Sequence, residues 1–309
     1  MDPAPSKLIV TQRLGQLERV LPAAGQGDPV AVHRARVASR RLREVLPVVA
    51  RHKRGRALRK ATRRVTRALG PVRELDVSME TLAEYAAEMR WSRDSVARVM
   101  WAIAEERRRL CAGLQRRLER CNIAARGARA LDATAAAGEP ETVQALLVDA
   151  QARSARRAIE LRVATESAAG LYLPERLHGV RIGVKKLRYA LELEQQLRAS
   201  RRRVPTMPAS RVAKAAAARL RTLRRVQNQL GRMHDLEVLI ARIRALQGTA
   251  AVAGLRVSAD LDQLVRRLEN ECRDLHGKYV ATRREVLAIS RRAEAVAERR
   301  ERAARRDVH

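Results

Sequence analysis

The sequence predicts an all-α protein, and three observations carry the prediction. Aromatic residues make up 2% of the 309 residues and Phe is absent, so the core has to be built from Leu, Val and Ala, which suits helices better than sheets. Apolar residues recur every three or four positions over long stretches, as in "VARVMWAIAEERRRLCAGLQRRLERC" and "LDQLVRRLENECRDLHGKYVATRREVLAI". No stretch alternates apolar and polar residues as a half-buried strand does. With 46% hydrophobic residues the chain can bury a core.

Taken in chain order, the first strongly patterned segment is "VHRARVASRRLREVL", from Val32 to Leu46. At about 100° per residue, Arg36, Arg40 and Arg43 fall on one side of His33 and Arg41 on the other, while Ala35, Ala38, Leu42, Val45 and Leu46 gather on the opposite face. Pro29 suits the first helical position, Asp28 suits the N-cap, and Pro47 is expected to end or kink the helix. The next segment, "RRVTRALGPVRELDV" (Arg63 to Val77), continues a face of Lys60, Arg63, Arg64 and Arg67 backed by Leu58, Val65 and Leu69. The one broad gap in charge follows at "ALDATAAAGEPETVQALL", where Gly138 and Pro140 mark a linker.

Both segments then recur. "LHGVRIGVKKLRYAL" (Leu177 to Leu191) repeats the first, placing Arg181, Lys185, Lys186 and Arg188 around His178, with Pro174 again four residues ahead of the histidine. "RRVQNQLGRMHDLEV" (Arg224 to Val238) repeats the second, with Arg221, Arg224, Arg225 and Asn228 on its polar face. The spacing between the two motifs is longer in the second copy, and "RASRRRVPTMPAS" after Leu197 is the natural insertion. The organisation read from the sequence is therefore a first helical repeat over 1–132, a linker over 133–143, a second repeat over 144–290 and a basic tail over 291–309 expected to fray. Each repeat presents two cationic ridges on apolar supports, and four such helices side by side would form a basic groove. Each histidine, close to a helix N-terminus, is expected to be neutral until an anion binds.

Charge narrows the function. With 65 basic against 34 acidic residues the net charge is +31, which calls for a polyanionic partner: nucleic acid, an anionic membrane or inorganic polyphosphate. Only seven of the 65 are Lys, and arginine's planar fork suits paired phosphate oxygens. Three widely spaced cysteines offer neither a disulfide framework nor a zinc motif and fit a reducing compartment. No signal peptide and no membrane span are read, so the cytoplasm is the expected location. There is no phosphate-binding glycine loop, and neither histidine is followed at i+4 by a metal ligand; binding without catalysis, metal or cofactor is the expectation.

The segments "VHRARVASRRLR", "LGPVRELDV", "LHGVRIGVKKLRYALEL" and "NQLGRMHDLEVL", in that order, resemble the CHAD family, the conserved histidine α-helical domain, over roughly residues 7–290. The resemblance implies two pseudo-symmetric antiparallel helical bundles forming a basic channel or groove that binds inorganic polyphosphate, with association to polyphosphate granules. It implies as ligands His33, Arg36, Arg40, Arg41, Arg43, Lys60, Arg63, Arg64, His178, Arg181, Lys185, Lys186, Arg188, Arg221, Arg224 and Arg225. Two positions depart from the family pattern, Glu74 where aspartate is usual and His234 where asparagine is common. Glu74, Asp76, Asp235 and Glu237 are expected to pair with arginines between helices. The alternatives are non-specific binding to nucleic-acid backbones and, third, a metal-binding accessory of a phosphohydrolase.

Overall fold

Capping chemistry and apolar periodicity set the local structure. Asp28 accepts a hydrogen bond from the Ala31 amide at 2.6 Å and so opens a helix whose first residue is Pro29. Thr142 does the same for Ala145 at 3.1 Å. The computed structural model describes residues 5–88, 93–136, 142–201, 211–249 and 254–306. Among the described residues there are eleven helices and no strand: α1 (Pro5–Glu18), α2 (Leu21–Gly25), α3 (Pro29–Val49), α4 (Lys53–Glu88), α5 (Arg93–Cys111), α6 (Leu114–Glu119), α7 (Ile123–Ala136), α8 (Val143–Ala168), α9 (Pro174–Arg201), α10 (Arg211–Gln247) and α11 (Leu255–Arg306). The all-α class holds.

Several boundaries refine the sequence reading. Pro47 lies inside α3, which ends two residues later at Val49, whereas α9, with Glu192 at the equivalent position, runs on to Arg201. The charge-poor linker is shorter than expected, because α7 stays helical through Ala136; Gly138 and Pro140 lie outside the described residues. Most of the insertion also lies outside them, between α9 and α10.

The tail expected to fray from Arg291 is instead helical to Arg306. Its start is held against α8 by Arg162 with Glu294 at 3.1 Å and Arg291 with Glu166 at 3.9 Å, just beyond the buried Ile289.

Helix neighbours in the chain pack antiparallel. Along α9 and α10, Arg181 meets Asp235, Arg188 meets Gln227, and Glu192 meets Arg224. Along α3 and α4, Arg36 donates to the Thr66 carbonyl and the buried Thr66 hydroxyl donates to Ser39. Helices α8 and α9 approach closely at Gly183, where an added Cβ would lie 3.2 Å from the Leu161 Cα.

The apolar residues form two cores, and neither belongs to one half of the sequence. The first joins α1–α3, α6, α7 and the first part of α4 to the start of α8 and the end of α9. The second joins α10, α11 and the rest of α8 and α9 to α5 and the second part of α4. Helix α4 passes from the first core to the second between Val72 and Leu75, and α9 passes back between Leu187 and Leu193. The repeats are thus repeats of sequence that share two interwoven cores. The polar cleft described next lies beside these two crossing points.

A candidate anion-binding cleft

Four helices, the ones that carry the repeated motifs, enclose a cavity of about 590 Å³. Helix α3 contributes His33, Arg36, Val37 and Arg40; α4 contributes the stretch from Gly70 to Ser78; α9 contributes Arg181, Lys185, Arg188 and Tyr189; α10 contributes the stretch from Gln227 to Val238. Seven cations line it (Arg36, Arg40, Arg73, Arg181, Lys185, Arg188 and Arg232) against two carboxylates, Glu74 and Asp235. Arg188 is buried and the other six are half-buried, so solvent screens their mutual repulsion only in part.

Some of these cations have protein partners. Arg73 holds Glu80 through both guanidinium nitrogens, at 2.8 and 3.1 Å. Arg232 is clamped by Glu271 at 2.9 Å and Glu84 at 2.7 Å. Arg188 is buried, donating to Gln227 at 2.8 Å and paired with Glu192. Arg181 lies 3.6 Å from Asp235. Among the described residues Arg36 reaches only the Thr66 carbonyl, at 3.3 Å. Among the described residues, Arg40 and Lys185 make no hydrogen bond or ion pair. Gly70 makes room for Arg36: a Cβ there would sit 3.1 Å from the guanidinium Nη1, whereas at its repeat partner Gly231 a Cβ would meet nothing within 4 Å.

The electrostatic response of the groups follows from this crowding. Burial, and then Arg181, Arg40 and Arg36, push the Lys185 ammonium down to about 6, opposed by Asp235. Burial with Arg40, Arg181 and Arg73 brings Arg36 down to about 10. His33 is lowered by burial and then Arg73, with Glu80 acting against them; His178 is lowered by burial, Arg181 and Lys185. Burial and neighbouring cations thus favour the neutral form of both histidines. Burial raises the Asp235 carboxyl against the pull of Arg181 and Lys185.

The structure divides the sixteen sequence-derived ligands. His33, Arg36, Arg40, Arg181, Lys185 and Arg188 line the cavity. The other ten stand outside the lining. His178 packs its ring on His234, 4.8 Å between centroids. Arg41 lies 3.9 Å from Glu192, which also takes Arg224 at 3.4 Å. Lys186 pairs with Glu160 at 3.2 Å and Arg225 with Glu285 at 2.8 Å. Arg43 sits near Glu44 and Arg63. Lys60, Arg63, Arg64 and Arg221 are exposed. The physical reason is lengthwise: Lys60, Arg63 and Arg64 lie in the first half of α4, alongside the later part of α3, whereas the cavity begins at Gly70.

Sequence reasoning misses Arg73 and Arg232, which follow the repeated Leu-Gly pair. A glycine recurring inside two helices is the signal, and at Gly70 it does mark a close approach, to Arg36. The acidic pairings hold for Glu74 with Arg242 at 3.7 Å, Asp76 with Arg107 at 2.5 Å and Asp235 with Arg181. Glu237 differs: it accepts from the Tyr172 hydroxyl at 3.0 Å. Among the described residues, no three His, Cys, Asp or Glu side chains assemble into a metal-ligating group, and no helix is long and apolar enough to cross a membrane.

Comparison with known proteins agrees with this architecture. The family model of the CHAD domain matches residues 8–244, and the chain belongs to that family. The crystal structure of the CHAD domain from the plant Ricinus communis superposes with a TM-score of 0.57 at 20% identity, covering 96% of this chain and 92% of that one, and shows the same fold. A search of curated proteins gives no match.

Proposed function

We propose that this CHAD-domain chain binds inorganic polyphosphate in the four-helix cleft, as a binding protein without catalytic activity, and that it associates with polyphosphate granules in the cytoplasm. The observation that carries the reading is the charge imbalance: seven cations face two carboxylates, and Arg40 and Lys185 are left without an ion pair among the described residues. Buried or half-buried cations of one sign cost free energy until an anion neutralises them. A linear chain of phosphates supplies anionic oxygens at regular intervals and needs no base-reading surface. Arginine forks and the Lys185 ammonium suit those oxygens.

Nucleic acid is the rival because a further cationic strip lies outside the cleft. Arg59, Lys60, Arg63, Arg64 and Arg67 are exposed on the first half of α4, and no carboxylate occurs between Glu44 and Glu74. Phosphate contacts of this kind bind any duplex in a salt-dependent way. Trp101, 67% exposed on α5, is not in the cleft and is not placed to stack bases there.

The deciding experiment is a titration with long-chain polyphosphate at physiological ionic strength in the presence of excess duplex DNA. Tight binding that strengthens with chain length and resists the DNA supports the reading. Displacement by DNA at comparable phosphate concentration overturns it in favour of a general polyanion surface.

A further inference from the structure

Lys185 differs in kind from the other cations of the cleft. It lines the cavity from α9 together with Arg36 and Arg40 of α3 and with Arg181, one turn earlier on its own helix, and all three arginines act on its charge. From α10 it faces Asp235 and His234, and from α4 Arg73 and Glu74 complete the wall. Asp235 is the carboxylate that acts on Lys185, and it is already engaged with Arg181 at 3.6 Å. An arginine cannot relieve such crowding, because its guanidinium keeps its proton in any ordinary environment. A lysine can, and Lys185 is the lone lysine lining the cavity.

We propose that the cleft binds its polyanion together with a proton, and that Lys185 is the group that takes the proton up. The inference rests on the polyphosphate reading for the identity of the ligand and deepens it by adding regulation by pH. In the empty cleft the amine is neutral, which removes one positive charge from a cluster of arginines. A phosphoryl oxygen entering between Arg36, Arg40 and Arg181 reverses the local field and restores the ammonium, which then donates to that oxygen. The balance is simple: amine, anion and one proton from solvent give an ammonium–anion pair.

The sign follows from linkage. Lys185 is lowered to about 6 when the cleft is empty, and a bound anion raises it toward the ordinary lysine range. Between those two values the complex holds more protons than the free protein, so affinity rises as pH falls and levels off below about 6. The histidines do not account for uptake at alkaline pH, since His33, His178 and His234 are all lowered from an ordinary value of 6.5.

The test is calorimetric titration of the full chain with long-chain polyphosphate at about pH 8, in buffers of different ionisation enthalpy. Uptake of about one proton per occupied cleft is expected, with affinity about thirtyfold higher at pH 7 than at pH 8.5. Lys185→Arg, which keeps the charge but cannot release it, is expected to abolish the uptake and flatten that pH dependence. Uptake of the same size in Lys185→Arg, or binding by the wild-type chain without uptake, overturns the proposal.

If the wild-type chain binds no polyphosphate, the parent reading fails, and the lysine is still tested alone. Reductive ¹³C-methylation labels the seven lysines, and the Lys185 signal is the one missing from Lys185→Arg. In the ligand-free protein that signal should titrate well below the other six; titration alongside them overturns the proposal.

Discussion

The α3–α4 pair and the α9–α10 pair carry the same cationic motif, yet their charges are differently engaged. On α3, Arg36 meets only a backbone carbonyl and Arg40 makes no ion pair among the described residues. On α9, Arg181 has Asp235, Lys186 has Glu160 and Arg188 has Glu192; on α10, Arg224 and Arg225 have Glu192 and Glu285. Lys185 is the exception on the second side: it makes no ion pair among the described residues, and the crowding lowers its pKa to about 6. A repeated cation is therefore not an equally available one. A cation already hydrogen-bonded to carboxylate offers a ligand little, because the anion must first displace a partner of the same kind. An unpaired one gains its first counter-charge from the ligand.

That contrast can be broken most directly where it is greatest. Arg40→Ala combined with Lys185→Ala removes both unpaired cations, each a charge-assisted contact of about 1.5–3 kcal/mol before discounting for exposure. Polyphosphate affinity at pH 7 should fall more than tenfold. An unchanged titration would dissociate the cleft from binding altogether.

A gain should follow from freeing a paired cation. Asp235→Asn releases Arg181 and removes one of the two carboxylates, so binding should tighten by about threefold, with a steeper salt dependence. Weaker binding by a folded variant would mean that Asp235 orients Arg181 more than it neutralises it.

The glycines give a smaller and more pointed comparison. Gly70→Ala crowds the Arg36 guanidinium and should weaken binding two- to threefold, about 0.5 kcal/mol. Gly231→Ala, with open space around its Cβ, should change affinity by less than half of that, measured in the same titration. A similarly small effect belongs to the paired cations of the second repeat. Arg224→Ala and Arg225→Ala together should lower affinity less than about twofold, since both are half-exposed and already joined to Glu192 and Glu285.

Much of this site is legible in the amino-acid sequence. The four helices, the basic faces around His33 and His178, and the Asp28–Pro29 start of α3 all follow from it, because capping and amphipathic periodicity act within one or two turns. Six of the sixteen expected ligands line the cavity for that reason. Arg73 and Arg232 escape such a reading because they belong to the Leu-Gly segment, whose place at the centre of the cleft is not a local property. The helical tail escapes it for a similar reason: Arg291 and Glu294 find Glu166 and Arg162 on α8, more than a hundred residues away in the chain.

By itself, then, the sequence determined the all-helical class, the repeated motifs and which side of each helix is cationic. A helical wheel settles the angle of a side chain about its own axis. It does not settle how far along that axis another helix crosses. Only the tertiary structure decided that α4 and α9 each pass between two cores, that the cleft opens beside those crossings, and that distant carboxylates neutralise one set of cations, Glu160 for Lys186, Glu192 for Arg224 and Glu285 for Arg225. Charge pairing is a matter of distance in space, and the packing that brings Arg40 and Lys185 together, with no ion pair for either among the described residues, joins helices far apart in the chain.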